Sequence, residues 1–198
     1  MTTALTTAGY FDDSLYTETS HLADHSPAVV NTLVAGWSDW GLGLFAVLMI
    51  WAWLRARAAG RPRLPALAVP LIVVVAFLAN DVVKSLLQEQ RPCQVLRVNL
   101  VEACPALGDW SFPSNHAAIA AAAAAALWFV DRRIALIAVP AALAMAVSRV
   151  WIGAHYPHDV AAGLLLGALV ASVLAGWAVP RVTRRLGDRV TASGAPAR

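Results

Sequence analysis

Charged residues are scarce in this sequence. Asp, Glu, Lys and Arg make up 14% of its 198 residues, whereas hydrophobic residues make up 59%. A soluble domain carries about 25% charged and about 45–50% apolar residues, so the composition indicates a protein whose solvent is lipid. Disordered chains are polar and rich in charge, which excludes that class. Two cysteines and 12 glycines exclude a disulfide-dense scaffold and a collagen-like chain.

Lys and Arg are absent before Arg55, although five acidic residues stand in that stretch. A secretory signal peptide begins with a positively charged region, so we do not expect one here. The net charge of +3 does not indicate a nucleic-acid partner, because the basic residues are distributed beside apolar runs.

A membrane-spanning helix needs roughly 20 residues, and four apolar runs approach or exceed this length. A fifth run is short, but it lengthens if Ser114 and His116 join it. The five runs cover residues 37–54, 64–87, 117–130, 134–152 and 160–180. Residues 10–34 are too polar to span, and their spaced apolar side chains predict an amphipathic helix on the membrane interface, broken at Pro27. The sequence therefore predicts an all-α, polytopic membrane bundle of five transmembrane helices after an interfacial helix. We expect one membrane domain at residues 1–190 and a disordered tail at 191–198.

Eleven of the 15 basic residues fall in segments that alternate spans place on one side of the membrane. By the positive-inside rule that side is the cytoplasm. We therefore expect a protein of the cytoplasmic (inner) membrane, with its N-terminus outside and its C-terminus in the cytoplasm. The 89–113 loop and the 153–158 turn are then extracytoplasmic. The other four basic residues lie on that disfavoured side: Lys84, Arg91, Arg97 and Arg149.

Lys84, Arg91 and Arg149 are predicted to converge at one depth of the membrane, where ionisable groups are costly and mark function. Three cations repel one another unless an anion lies among them. Guanidinium groups match phosphate oxygens, and an ammonium adds a point charge. Ser114 is a good N-cap residue for the third span, whose free N–H groups and positive dipole end add an anion site. The expected ligand is a phosphate.

His155 and Asp159 are four residues apart, and Pro157 between them is suited to the first turn of a helix. The Asp159 carboxylate can then accept a hydrogen bond from one ring nitrogen of His155, which leaves the other nitrogen as a nucleophile. His116, at the start of the third span, can protonate the leaving oxygen. The three residues predict a phosphatase that works through a phosphohistidine, with an extracytoplasmic active site.

Each of these residues also has a simpler interpretation. Lys84 could pair with Asp81, Arg149 could anchor the outer interface, and the histidines could bond to the backbone. A divalent metal is a further alternative, but three neighbouring cations argue against it, so no metal and no cofactor are expected. The ligands of such a metal ion would be His116, His155, His158 and Asp159.

Two pairs of residues predict structural features. Cys93 and Cys104 lie in the outer loop, where an oxidising compartment favours a disulfide worth roughly 3 kcal/mol. Two free thiols are the alternative. Gly163 and Gly167 let helices approach closely, and we favour packing within the chain over a homodimer face.

Taken together, these segments resemble the signature of the type-2 phosphatidic acid phosphatase superfamily, which reads KxxxxxxRP, PSGH and SRxxxxxHxxxD. Lys84, Arg91 and Pro92 match the first part. The other matches are Pro113, Ser114 and His116, then Ser148, Arg149, His155 and Asp159. The resemblance implies metal-independent phosphate ester hydrolysis, with His155 as nucleophile, Asp159 as its orienting partner and His116 as acid.

The same resemblance implies that Lys84, Arg91, Ser114 and Arg149 hold the phosphate. Asn115 stands where the family usually has Gly, at a position that presents a backbone N–H to the phosphate. Asn is acceptable there within helical geometry, and it reaches positive φ more readily than most residues.

The short five-span length and the segment around Trp151 and Tyr156 resemble bacterial undecaprenyl-diphosphate phosphatases of the bacitracin-resistance type. The expected partners are a lipid phosphate and the surrounding membrane lipids. Alternative substrates are phosphatidylglycerophosphate, phosphatidic acid, lipid A phosphates and polyprenyl-phosphoryl sugar phosphates. A non-catalytic lipid-phosphate binding or transport protein and a purely structural membrane protein are alternatives of other classes. A vanadium haloperoxidase would share the anion site, but those enzymes are largely soluble.

Overall fold

The structure, a computed structural model, describes residues 3–96, 99–181 and 184, and all the regular secondary structure within them is helical. The predicted tail at 191–198 and Arg97 lie outside the described residues. The helices are α1 (Thr3–Asp24), α2 (Ala28–Trp40), α3 (Leu42–Ala58), α4 (Leu64–Leu87), α5 (Pro92–Val95), α6 (Asn115–Val130), α7 (Arg132–Trp151) and α8 (Pro157–Val173), followed by a π-helical turn at Leu174–Ala178.

Three helical segments of the described chain are long and apolar enough to cross a membrane: Leu64–Val95, Arg132–Trp151 and Pro157–Arg181. The pair α2 and α3 makes a fourth if this bent pair is one span, and α6 is apolar but shorter. The apolar helices make the chain a membrane protein with an all-α fold. Length and composition support at most four spans among the described residues, so the fifth span stays a prediction.

The first apolar run, residues 37–54, was predicted as one span and is bent within that range. α2 ends at Trp40, α3 begins at Leu42, and the two helices meet at an angle of 51°. A Cβ on Gly41 would lie 2.4 Å from the backbone carbonyl oxygen of Trp37, so a glycine is needed at this bend. The bend was not predicted because the run is apolar on both sides of it apart from Ser38 and Asp39.

The break expected at Pro27 is present, since α1 ends at Asp24 and α2 begins at Ala28. α2, however, runs on past residue 34 to Trp40. The hydroxyl of the buried Tyr16 in α1 donates to the carbonyl of Gly153, 3.0 Å away. α1 therefore packs on the turn between α7 and α8, and its place at the membrane interface remains a prediction.

The alanine-rich helix α6 lies at the centre of the bundle. Gly163 and Gly167 of α8 face it, because a Cβ on them would lie 2.5 Å from the carbonyl oxygen of Ser114 and 2.2 Å from that of Ala118. This is the close packing within the chain that small residues permit. The contact fixes the first turn of α8 against the first turn of α6, which is where the predicted catalytic residues are.

Candidate active site

The three segments singled out in the sequence meet at one end of the bundle. The end of α4, the loop that follows it and the first turn of α6 form one wall. The end of α7 and the first turn of α8 form the other. A hydrogen bond from the backbone N–H of Ser114 to the carbonyl of Asp159 (3.0 Å) joins the two walls directly.

His155 lies just before α8, and Asp159 lies in its first turn, as Pro157 at the start of the helix predicted. Nδ1 of His155 is 3.2 Å from Oδ2 of Asp159, and both side chains are buried. The same oxygen accepts hydrogen bonds from the backbone N–H of Tyr156 (2.8 Å) and from the hydroxyl of Ser111. Three donors therefore converge on one carboxylate oxygen and hold it against the imidazole.

Arg91 determines which nitrogen of His155 carries the proton. Its Nη1 lies 3.2 Å from Nε2 of His155, and a guanidinium can only donate. Nε2 must then accept, so Nδ1 carries the proton and donates it to Asp159. Burial lowers the pKa of His155, and the nearby guanidinium groups lower it further against the opposing effect of Asp159. The ring is therefore neutral near pH 7, with its lone pair on Nε2.

Arg91 is held in this place by the loop that follows α5. Its Nε donates to the carbonyl of Asp109 and its Nη2 to Oδ1 of the same residue, both at 2.9 Å. Nη1 also donates to the carbonyl of Ala154, at 2.8 Å. The guanidinium is buried, so these bonds replace water around it.

Lys84 does not form the pair with Asp81 that was its simpler interpretation. Its Nζ donates to the carbonyl of Trp110 at 2.9 Å and reaches that of Ser111 at 3.5 Å. The ammonium is buried in the last turn of α4 and lies within electrostatic range of Arg91. The predicted gathering of cations is therefore present in the structure.

Arg149 and Ser114 carry donors that have no partner among the described residues. Nη1 of Arg149 donates to the hydroxyl of Ser38, 2.6 Å away, but its buried Nε has no hydrogen bond. The hydroxyl of Ser114 is also buried without one, and it does not cap α6. Buried polar groups are rarely left unpaired, so each of these two groups indicates a ligand that supplies acceptors.

The first turn of α6 adds further donors. Its first intrahelical bond runs from the N–H of Ala118 to the carbonyl of Ser114 (3.0 Å), which leaves the N–H groups of residues 115–117 free of the helix ladder. The side chain of Asn115 turns to α4, where its Oδ1 accepts from Nδ2 of Asn80 at 2.6 Å. Asn115 thus adopts helical geometry at the position where the family usually has glycine. Because its side chain contacts Asn80, it would contribute its backbone N–H to an anion site.

His116, next in the same turn, makes no hydrogen bond to the described residues and lies within electrostatic range of Lys84, Arg91 and Arg149. The structure therefore brings the eight predicted catalytic and phosphate-binding residues to one end of the bundle. The arrangement can surround an anion with cations and present it to a neutral imidazole. Cys93 and Cys104 are joined in a disulfide beside this site, in the loop whose Arg97 is not described.

Several residues of the site were not predicted. They are Ser38, Asn80, Asp109 and Ser111, each of which holds a predicted residue through a hydrogen bond. Asn80 and Ser38 could have been found as polar side chains within apolar runs, where they need a partner. Ser111 and Asp109 stand in a polar loop, and no signal in the loop distinguishes them.

A membrane-helical fold that gathers cations and unpaired donors beside a histidine–aspartate pair defines a phosphoric ester hydrolase of the membrane. Residues 65–182 match the family model of the PAP2 superfamily, and the chain belongs to that family. The predicted family and class of enzyme are confirmed.

Two of the chain's relatives are named as phosphatases of polyprenyl phosphates. The chain is 27% identical over 157 residues to undecaprenyl-diphosphatase BcrC of Bacillus subtilis (strain 168). This match covers 79% of this chain and 77% of the relative. The chain is 36% identical over 105 residues to decaprenylphosphoryl-5-phosphoribose phosphatase of Mycobacterium tuberculosis, covering 50% of this chain and 55% of the relative.

A solved structure shares the fold. It is the crystal structure of a transmembrane PAP2-type phosphatidylglycerolphosphate phosphatase from Bacillus subtilis, with a TM-score of 0.61 at 22% identity. The match covers 89% of this chain and 87% of that one.

Proposed function

We propose that the protein is a metal-independent lipid phosphatase that converts undecaprenyl diphosphate to undecaprenyl phosphate through a phosphohistidine. The observation that carries this proposal is the pair of buried, unpartnered donors, Nε of Arg149 and the hydroxyl of Ser114, beside a neutral His155. A phosphate supplies acceptors to both donors and an electrophile to the imidazole. Negative charge is redistributed over the transferred and departing phosphate groups in the transition state, so charge stabilisation by the buried cations is the main contribution to rate.

In the first step Nε2 of His155 attacks the terminal phosphorus, and the bond from phosphorus to the leaving oxygen breaks. His116 donates a proton to that oxygen. Because Arg91 contacts Nε2 in the free protein, its guanidinium must turn from the imidazole to the phosphate oxygens as the substrate enters. Asp159 stays on Nδ1 and stabilises the positive charge that the ring gains.

In the second step water attacks the phosphohistidine, and the phosphorus–nitrogen bond breaks. His116, now neutral, takes a proton from the attacking water, and inorganic phosphate leaves. His155 returns to its neutral form with the proton on Nδ1. Both residues thus end the cycle as they began it.

The choice of undecaprenyl diphosphate is supported by the relative named undecaprenyl-diphosphatase, whose similarity extends over most of both chains. A polyprenyl-phosphoryl sugar phosphate is the second candidate, because a shorter segment has 36% identity to the phosphoribose phosphatase. Phosphatidylglycerophosphate and phosphatidic acid are further alternatives. A non-catalytic lipid-phosphate binding protein is the alternative of another class, and it would need neither His116 nor the His155–Asp159 pair.

The proposed setting is the cytoplasmic membrane, crossed five times by residues 1–190. The site and the N-terminus then face the extracytoplasmic side, and the C-terminus faces the cytoplasm. A groove of about 380 Å³ between α2 and α7 offers the lipid chain a lateral path. It is lined by Leu33, Val34, Trp37, Ala144, Val147, Ser148 and Trp151. A homodimer stays a prediction, and Gly163 and Gly167 are not available to its interface because they pack on α6.

The proposal is tested by measuring phosphate release from the purified protein in detergent with excess EDTA. Undecaprenyl diphosphate, decaprenylphosphoryl-5-phosphoribose and phosphatidylglycerophosphate are compared side by side. We expect release from the diphosphate at the highest kcat/KM. Faster release from either other lipid would overturn the substrate, and release that returns only with added metal would overturn the metal-independent mechanism.

The two histidine roles are separated by changing the leaving group. His116→Ala is expected to slow hydrolysis of phosphatidylglycerophosphate, whose alkoxide leaving group needs protonation, by about 10²–10⁴-fold, but to act much better on p-nitrophenyl phosphate, whose leaving group does not. His155→Ala is expected to be inactive on both. Wild-type turnover in His155→Ala, with binding retained, would favour another nucleophile, and binding without any phosphate release by the unmodified protein would favour the non-catalytic alternative.

A further inference from the structure

His158, in the first turn of α8, joins three parts of the chain beside the proposed active site. Its ring contacts Asp12 in α1, Glu89 in the loop after α4, and Asp159 in its own helix. The reaction proposed above uses Asp159 through Oδ2 and gives no role to the other three residues. Because the ring contacts the carboxylate that orients His155, it can affect the reaction without contacting the substrate.

Both ring nitrogens of His158 face carboxylate oxygens. Nδ1 contacts Oδ2 of Asp12, while Nε2 lies 3.0 Å from Oε1 of Glu89 and 3.3 Å from Oδ1 of Asp159. An ionised carboxylate can only accept hydrogen bonds, so each ring nitrogen must carry a proton. His158 is therefore an imidazolium, and its positive charge offsets part of the negative charge of the three carboxylates.

The ring of His158 also packs against two aromatic side chains. It stacks on Tyr156, with centroids 5.4 Å apart and an angle of 16° between the planes. Its centroid lies 5.5 Å from that of Phe112, the residue that follows Ser111. The imidazolium is thus held by its edge and by its faces, which keeps its charge in one place beside Asp159.

The two oxygens of Asp159 have different partners. Oδ2 accepts from Ser111 and from the backbone of Tyr156, and it lies 3.2 Å from Nδ1 of His155. Oδ1 is buried and accepts no hydrogen bond from the described residues, but it forms an ion pair with Nε2 of His158. The carboxylate therefore lies between two imidazoles, the neutral ring of His155 at Oδ2 and the charged ring of His158 at Oδ1.

Helix α1 supports this arrangement from outside the conserved order of the other site segments. Tyr16 of α1 is buried and donates to the carbonyl of Gly153, 3.0 Å away. Asp12, one turn earlier, is also buried and contacts the ring nitrogen of His158 that does not face Asp159. α1 therefore packs on both ends of the turn between α7 and α8, which carries the proposed nucleophile.

We propose that the imidazolium of His158 is a positioning group that holds Asp159 against His155. Its charge fixes Oδ1, so the carboxylate resists turning about its Cβ–Cγ bond and Oδ2 stays on Nδ1 of His155. Without that charge Oδ1 is a buried anionic oxygen with no partner, and the carboxylate turns to find one. Asp12 and Glu89 in turn keep His158 charged and in place. This inference rests on the proposed function, because it gives His155 the role of nucleophile.

The charge of His158 is tested without any measurement of turnover. Nitrogen NMR of protein with isotope-labelled histidine, in detergent near neutral pH, reports whether each ring nitrogen carries a proton. The signals missing from His158→Gln belong to His158, and His158→Arg identifies them if the Gln variant does not fold. We expect both nitrogens to be protonated. One protonated and one bare nitrogen would overturn the inference.

The positioning role is tested by kinetics in excess EDTA, on whichever of the three lipids the parent protein hydrolyses fastest. His158→Gln keeps a donor near the position of Nε2 but loses the charge. We expect its kcat to fall about 10-fold, because the carboxylate of Asp159 loses a charged partner. KM should change little, since no described contact of His158 is to a predicted phosphate-binding residue.

His158→Arg restores a cation with several donors and should recover most of the lost kcat. His25→Gln, which changes an exposed histidine after α1, is the matched control and should keep the kcat of the parent. An unchanged kcat in His158→Gln, a rise in KM alone, or an equal loss in the Gln and Arg variants would overturn the positioning role.

Asp12→Asn tests whether α1 acts through His158. It should lower kcat several-fold in the parent and have no further effect in His158→Gln, where the charge that Asp12 supports is already gone. Glu18→Gln, an exposed carboxylate on the same helix, should have no effect in either protein. The same loss from Asp12→Asn in both proteins would overturn the link through His158.

Failure of this inference is distinguishable from failure of the proposed function. A parent protein that releases no phosphate from any of the three lipids would overturn the proposed function. An active parent whose His158 is neutral, or whose His158→Gln variant keeps its kcat, would overturn the inference alone.

Discussion

Nη1 of Arg91 lies 3.2 Å from Nε2 of His155 and donates to the lone pair that the proposed reaction uses. The same guanidinium is held by the backbone and side chain of Asp109. Arg91 therefore fixes the tautomer of His155 in the free protein and stands where the proposed reaction brings the phosphate. A guanidinium can do both because its donors point in several fixed directions.

Replacing Arg91 with Lys keeps the positive charge but removes the planar guanidinium and its several fixed donors. We expect kcat/KM for the lipid substrate to fall about 10²-fold, since an ammonium cannot contact Asp109, His155 and a phosphate together. Steady-state phosphate release measures the effect. Arg57→Lys, at the exposed end of α3, is the control and should leave the rate unchanged. An unchanged rate in Arg91→Lys would show that charge alone suffices.

Ser111→Ala removes one of the donors on Oδ2 of Asp159. A hydrogen bond to a charged group is worth about 1.5–3 kcal/mol, so kcat should fall about 10–100-fold with little change in KM. Ser111→Thr, which keeps the hydroxyl, should recover most of the loss. Ser85→Ala removes an exposed hydroxyl of α4 and serves as the control. A change in KM alone would assign Ser111 to substrate binding instead.

Gly167→Ala places a Cβ 2.2 Å from the carbonyl oxygen of Ala118 in α6. Such overpacking costs about 1–3 kcal/mol, so thermal unfolding in detergent should show a lower Tm. Gly43→Ala is the matched control, because no atom lies within 4 Å of its Cβ and alanine favours a helix. A Tm for Gly167→Ala equal to that of Gly43→Ala would show that α6 and α8 are not packed this closely.

Asp131 links the end of α3 to the start of α7 and confers a pH dependence on stability. Burial raises the pKa of its carboxyl, but hydrogen bonds from Arg55 and from the N–H of Arg133 outweigh burial and leave the pKa lowered. A lowered folded pKa means that the interaction stabilises above the ordinary value of about 4 and is lost as the pH falls through the folded pKa.

Asp131→Asn should therefore lower the free energy of unfolding by about 0.5–1 kcal/mol near pH 7 and leave it unchanged near pH 2. The effect is small because Arg55 is partly exposed. The measurement is the difference in Tm between variant and parent across this pH range. Glu18→Gln, an exposed carboxylate, should show no such difference. A difference that persists at low pH would mean that the carboxylate charge is not the cause.

Much of the helical organisation could be predicted because its signals are local. The run at 64–87 coincides with α4, and Pro157 starts α8 as expected. The bend at Gly41 could not be predicted, since the apolar run continues across it. Whether α6 and the bent pair each cross the membrane is likewise not decided by hydropathy alone.

The sequence by itself determined the membrane class, the family and the ionisable residues of the site, because charges and histidines in an apolar chain are too costly to stand there without use. Only the tertiary structure decided which partner each of them has. Ser38 lies 111 residues from Arg149, and Asp12 lies 146 from His158, so no local pattern relates them. These pairs arise where separate helices pack, and packing is a property of the whole chain.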